Sequence, residues 1–147
     1  MGRILAIDYG QKRVGLAVTD ENRIIASPLT TVHSKDIIVF LKEYLKRERV
    51  DLFVVGEPRQ MNNQVSESVK FIDPFVRLLA REFPEIPVGR VDERFTSKMA
   101  QRSMLESGLK KKDRRDKSIV DMVSAAIILQ SFLEIQSFNL NRNGSAE

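Results

Sequence analysis

The sequence predicts an α/β domain built on a mixed sheet, with elements in the order βββαβαβαα. Two observations predict it. The opening stretch holds three apolar runs separated by turns of a few polar residues, the pattern of an antiparallel meander. The remainder alternates between helical apolar spacing and short apolar runs, which returns successive strands parallel to one another through helices. Three antiparallel strands followed by two parallel ones, with helices on both faces, is the expected architecture.

Each element has a local reason. "RILAID" and "RVGLAVTD" read as strands joined by a turn at Gly10-Gln11-Lys12. Gly15 lies inside the second and marks a bulge or a close backbone approach. "ENR" turns the chain into "IIASPLTTV", whose Pro28 argues for an edge position. Ser34 is placed to cap a helix carrying Ile37, Ile38, Leu41, Tyr44 and Leu45. "DLFVVG" is almost wholly apolar, as a strand covered on both faces should be. After the polar loop "RQMNNQ", a helix is expected from about Ser66 to Phe83, with Pro74 producing a kink or a later start. Phe71, Phe75 and Phe83 there, and Phe132 later, are expected in the core. "IPVGRVD" is the fifth strand, and a helix around residues 97–107 ends at Gly108. Ser118 with Asp121 resembles a capping box at the start of the last helix, "IVDMVSAAIILQSFLEIQ". Residues 1–137 are expected to form one domain and residues 138–147 a polar, flexible tail.

Composition narrows the class. A chain of 147 residues that is 42% hydrophobic has enough apolar surface for one real core. The absence of cysteine excludes a disulfide framework and a thiolate metal site, and suits a cytoplasmic address. Arg3, Asp8, Lys12 and Arg13 interrupt any signal-like apolar region, and no stretch is expected to approach a membrane span, so no membrane partner is foreseen. The net charge is +4. Residues 110–117, KKKDRRDK, hold six cations against two anions, so the rest of the chain balances at 18 of each sign. A clustered basic segment is the footprint of a polyanion binder, or equally a solvated loop.

Asp8 ends the first strand, Asp92 and Glu93 end the fifth, and Asp121 sits early in the last helix. Singly, each has a plain structural use: Asp8 as a turn-former, Asp92 and Glu93 as a surface turn paired with Arg94, Asp121 as a favourable charge near a helix N-terminus. Together they point elsewhere, because ligands of open sheets gather at the carboxyl ends of the strands. Clustered carboxylates repel unless their pKa values shift or a cation binds. Oxygen ligands, without cysteine and with a single histidine, select Mg²⁺ or Mn²⁺ over zinc. Beside a basic segment, such a site fits two-metal phosphodiester hydrolysis.

"AIDYGQKRVGLAVTD", "VVGEP", "VDERFTS" and "KSIVDMVSAAIILQ", in this order across roughly Ile4 to Leu133, make the chain resemble the YqgF (RuvX-like) family. These are bacterial pre-16S rRNA nucleases related to Holliday junction resolvases. The resemblance implies an RNase H-like fold, catalytic and metal-binding acids at Asp8, Glu93 and Asp121, and 5′-end maturation of 16S rRNA in the cytoplasm. Where the family commonly has an apolar residue, this chain has Glu57, which is either an extra metal ligand or a polar loop residue before Pro58; the loop is preferred. Lys12, Arg94, Thr96, the basic residues Lys110, Lys111, Lys112, Arg114 and Arg115, and Lys117 are candidate substrate contacts. Arg13 is a further cation in reach of phosphate, and Lys117 is also placed to neutralise the acids between turnovers.

Other readings follow from the same residues. A Holliday junction resolvase would act on branched DNA and require a two-fold dimer. A nucleotide-binding module of the actin-like kind would need a second such domain. A non-catalytic RNA-binding factor would use the fold and the basic loop alone. Expected partners are nucleic acid and ribosomal precursor particles, with the chain a monomer or homodimer.

Overall fold

The strand β1 (Arg3–Tyr9) occupies the middle of the sheet because both its faces are apolar: Ile4, Leu5, Ala6 and Ile7 have no exposed surface. The computed structural model describes residues 2–57, 69–93 and 117–143. β2 (Arg13–Thr19) pairs antiparallel with β1, and β3 (Ala26–His33) antiparallel with β2. β4 (Val50–Glu57) and β5 (Val88–Asp92) then add in parallel on the other side of β1. The strand order is β3-β2-β1-β4-β5, the mixed sheet expected from the sequence. Pro28 falls on the edge strand β3, next to a shift of register between Leu16 and Ala17, where a missing N–H costs least.

Two different cores cover the two faces. On the first, α1 (Ile37–Arg47) and α2 (Val69–Glu82) pack large side chains against the sheet: Leu41, Tyr44, Ile72, Phe75 and Leu79 meet Leu5, Ile7, Leu16, Phe53 and Val55. Tyr9 stacks on Phe75 with ring centroids 4.1 Å apart, and Phe83 meets Phe53 edge-on at 5.6 Å. Pro74 lies inside α2. Phe71 departs from its expected place: one residue off the Ile72–Phe75–Leu79 stripe, it is 46% exposed. Phe132 packs partly buried on the second core.

Among the described residues the second face is covered by one helix, α3 (Lys117–Asn143), lying across β1, β2 and β3. Its core mixes Ile4, Val54, Val91, Ile128 and Leu129 with small residues, Ala125 and Ala126 from the helix and Ala6, Ala17 and Ala26 from the sheet. Small side chains on both sides let helix and sheet backbones approach closely at native packing density. This helix corrects the expectation about membrane spans. Ile119–Gln136, with mean hydropathy 1.5, has the length and composition to cross a membrane. Part of that apolarity is the core face itself, where Ala125, Ala126, Ile128 and Leu129 are buried on the sheet.

Local expectations differ at several boundaries. Ser34 is not the cap of α1; that position is Asp36, whose side chain makes no capping hydrogen bond. The Ser34 hydroxyl instead donates to the Gln11 carbonyl at 2.6 Å, tying the helix entrance to the β1–β2 turn. Ser118 lies within α3 rather than ahead of it, and the helix runs on through residues 138–143 of the expected tail. The start of the second helix at Ser66, the helix around 97–107 and Gly108 lie outside the described residues.

Candidate active site

Strand alternation decides where Asp8 points. Ile4 and Ala6 face α3, so Asp8 does too, while Leu5, Ile7 and Tyr9 face α1 and α2. On one side Asp8 is paired with Gly15 of β2. On the other, Ile7 pairs with Val55, so the next residue of β4, Gly56, shares the face of Asp8. Both neighbours are glycines for reasons of space. A Cβ on Gly15 would sit 2.0 Å from the Asp121 carbonyl oxygen, so only glycine lets the α3 backbone rest there. A Cβ on Gly56 would lie 2.4 Å from Ile128 Cδ1 and 3.0 Å from Glu93 Oε1. The bare strand at Gly15 brings in Asp121, and the one at Gly56 admits the Glu93 carboxylate. Strand one therefore delivers its acid to a shelf at the C-terminal edge of the sheet that two other acids also reach.

The electrostatics report the same convergence. Burial pushes the Asp8 carboxyl up to about 6, with repulsion from Asp121 adding to it. Burial likewise pushes Glu93 up to about 7, with further repulsion from Asp8 and then Asp92. Desolvation and like charges both favour the protonated acid, as in clusters built to receive a cation. Asp121 is held differently. Arg13, the first residue of β2, donates from Nε to Asp121 Oδ2 at 2.8 Å.

The donor set is chemically suited to a hard divalent ion, being carboxylate oxygen throughout. Among the described residues no three acidic or histidine side chains already stand at coordination spacing. A groove of about 750 Å³ lies at the other end of β4 and β5, between residues 45–51 and 82–86, away from the acids.

Other expected residues are distributed as follows. Lys12 is exposed on the β1–β2 turn at the same end of the sheet. Lys117 begins α3, though its side chain is not among those described, and Arg94, Thr96, Lys110, Lys111, Lys112, Arg114 and Arg115 lie outside the described residues. Glu57 is not a loop residue. It ends β4 in register with Asp92, and alternation from Gly56 turns it to the face of α2. There its Oε1 lies 3.8 Å from Arg90 Nη1, and Arg90 also pairs with Asp73 of α2. Sequence reasoning undervalues two residues. Gly56 sits in the uninformative "VVGEP", and Arg13 carries in the sequence only the look of a phosphate-binding cation. The alternation of β2, with Arg13 and Gly15 on one face, is the available signal for the latter.

The family model described as "RuvX: Holliday junction resolvase" matches residues 2–135. A Bacteroides fragilis protein named "Putative pre-16S rRNA nuclease" is 57% identical over 134 residues, covering 91% of this chain and 97% of that one. A Porphyromonas gingivalis protein of the same name is 59% identical, with the same coverage of 91% and 97%. Among solved structures, T. thermophilus RuvC in complex with a Holliday junction substrate superposes with a TM-score of 0.62 at 19% identity, covering 92% of this chain and 97% of that one. Fowlpox virus resolvase, bound to Holliday junction DNA, gives 0.55 at 14% identity, covering 91% and 98%. At such identities the superpositions speak to the fold, which is RNase H-like.

Proposed function

Because this chain belongs to the RuvX family of Holliday junction resolvase-like proteins, we propose that it is a divalent-metal-dependent endonuclease maturing the 5′ end of pre-16S rRNA in the cytoplasm. The observation that supports this reading best is the meeting of Asp8, Glu93 and Asp121 over Gly15 and Gly56. Relatives at 57% and 59% identity, named as pre-16S rRNA nucleases, favour RNA as the substrate.

In this reading Asp8, Glu93 and Asp121 are the catalytic acids and hold Mg²⁺ or Mn²⁺. When bound, the metal supplies an activated water and stabilises the charge that develops on the phosphate. The chain's own work is to keep the acids oriented on rigid strand ends and a helix turn, and to release their protons. Asp8 and Glu93 must both be ionised to bind a cation, so metal affinity rises with pH through about 6 and about 7. Lys12, Arg94 and Thr96 hold the phosphates flanking the cut. Lys110, Lys111, Lys112, Arg114, Arg115 and Lys117 supply sequence-independent affinity for the backbone. Ribosomal precursor particles are the setting in which such an RNA end is presented.

A second reading, cleavage of four-way DNA, is favoured by the family description and by the likeness to RuvC. It requires two sites related by a two-fold axis, so it predicts a dimer. The deciding experiment incubates the purified protein with a 5′-extended 16S precursor RNA and with a synthetic four-way junction, each with Mg²⁺, Mn²⁺ or EDTA. Metal-dependent shortening of the RNA with an intact junction is expected. Symmetric nicking of the junction would replace the proposal with the resolvase, and binding without cleavage with a non-catalytic RNA-binding factor.

A further inference from the structure

Arg13 stands where the acidic cluster meets solvent. Like Gly15 and Ala17, it points from β2 toward α3, and its guanidinium closes on a residue 108 positions away in sequence. Its partner atom, Asp121 Oδ2, belongs to one of the three carboxylates proposed to hold the metal. Neither side chain is locked in. Arg13 is 44% exposed and Asp121 26%, so the guanidinium can swing into water without unfolding anything. Arg90 makes the contrast: on the opposite face it is held by acids from two elements, Glu57 and Asp73.

We infer that Arg13 is the built-in counter-cation of the acidic cluster, a positioning residue that holds Asp121 while no metal is present and competes with a divalent ion for it. The inference rests on the metal-binding reading of the acids and adds a residue to it. A guanidinium at 2.8 Å from Oδ2 and a divalent ion on the same carboxylate repel each other strongly at such separations. Loading the ion therefore displaces the arginine. Once released, the guanidinium remains beside the cluster as a planar donor of the kind that grips phosphate in two-pronged fashion. Metal loading thus exposes a cation for the nucleic-acid backbone at the place where it is needed.

The test is Mn²⁺ binding, measured by titration calorimetry near neutral pH on the full chain, without substrate. Arg13→Gln should bind Mn²⁺ about fivefold more tightly than the wild type, the size expected when a partly exposed ion pair no longer competes. Arg13→Lys should stay close to wild type. Lys12→Gln removes a neighbouring charge that is not on Asp121, and should change affinity much less. In EDTA, Arg13→Gln should melt lower than wild type and recover the difference in saturating Mn²⁺, which shows that the variant folds. Unchanged or weaker Mn²⁺ binding by Arg13→Gln, or an equal gain from Lys12→Gln, overturns the inference and leaves the metal site standing. Failure of the wild type to bind Mn²⁺ overturns the metal site and this inference together.

Discussion

Replacing Asp8 by Asn separates a carboxylate kept for chemistry from one kept for structure, because the two roles predict opposite effects on stability. In the folded chain the Asp8 carboxyl rises from 3.8 to about 6, chiefly through burial. Each pKa unit is about 1.4 kcal/mol, so ionising Asp8 costs the folded state about 3 kcal/mol more than the unfolded one. Water reaching a partly accessible shelf relaxes some of this, leaving about 1–3 kcal/mol. Below pH 3.8 the acid is protonated in both states and the cost is absent. It grows as pH rises toward about 6 and is constant above. Asn stays neutral throughout. Without metal at about pH 8, Asp8→Asn should therefore melt about 3–9 °C above the wild type, and the gap should close near pH 4. Its metal-dependent rise in Tm should be lost, and cleavage should fall by several orders of magnitude. The measurements are thermal melts in EDTA and in Mn²⁺ across this pH range, with cleavage assayed on the same samples. A variant that melts no higher than wild type at the alkaline end would refute the reasoning, since Asp8 would then be a turn-former whose charge the fold needs.

Gly15→Val should push α3 off β2, because its Cβ would overlap the Asp121 carbonyl at 2.0 Å; urea titration should show a loss of about 1–3 kcal/mol or more, with metal binding reduced as Asp121 moves. Glu57→Gln should leave Mn²⁺ affinity unchanged, because this side chain faces Arg90 across the sheet from the acids; calorimetry checks it, and a loss of affinity would bring Glu57 into the site. Neutralising Lys110, Lys111, Lys112, Arg114 and Arg115 should weaken RNA binding and flatten its salt dependence by about 0.7 in the log–log slope for each phosphate that is no longer neutralised. An unchanged slope would remove the segment from the substrate interface.

What the sequence by itself determined was the order of elements and their type. Apolar period, turn residues and Pro28 are local signals, and local signals suffice to recognise three antiparallel strands, then two parallel ones, with helices between. The acids were legible too, as residues at strand ends and at a helix start. Only the tertiary structure decided which of them meet. Glu57 and Asp8 lie at the ends of adjacent strands, one as the last residue and the other as the last but one, yet alternation and register send them to opposite faces. Helical spacing offers Lys117, four residues away, as the partner of Asp121. A partner the structure does describe, Arg13, lies 108 residues away and reaches Asp121 because Gly15 lets a helix backbone settle onto the strand that Arg13 begins. Side-chain direction follows from two residues of period, but which helix covers a face, and how close it comes, depends on small residues contributed from both ends of the chain: Ala6 and Ala17 from the sheet, Ala125 and Ala126 from α3. That fit exists only once the two are packed together.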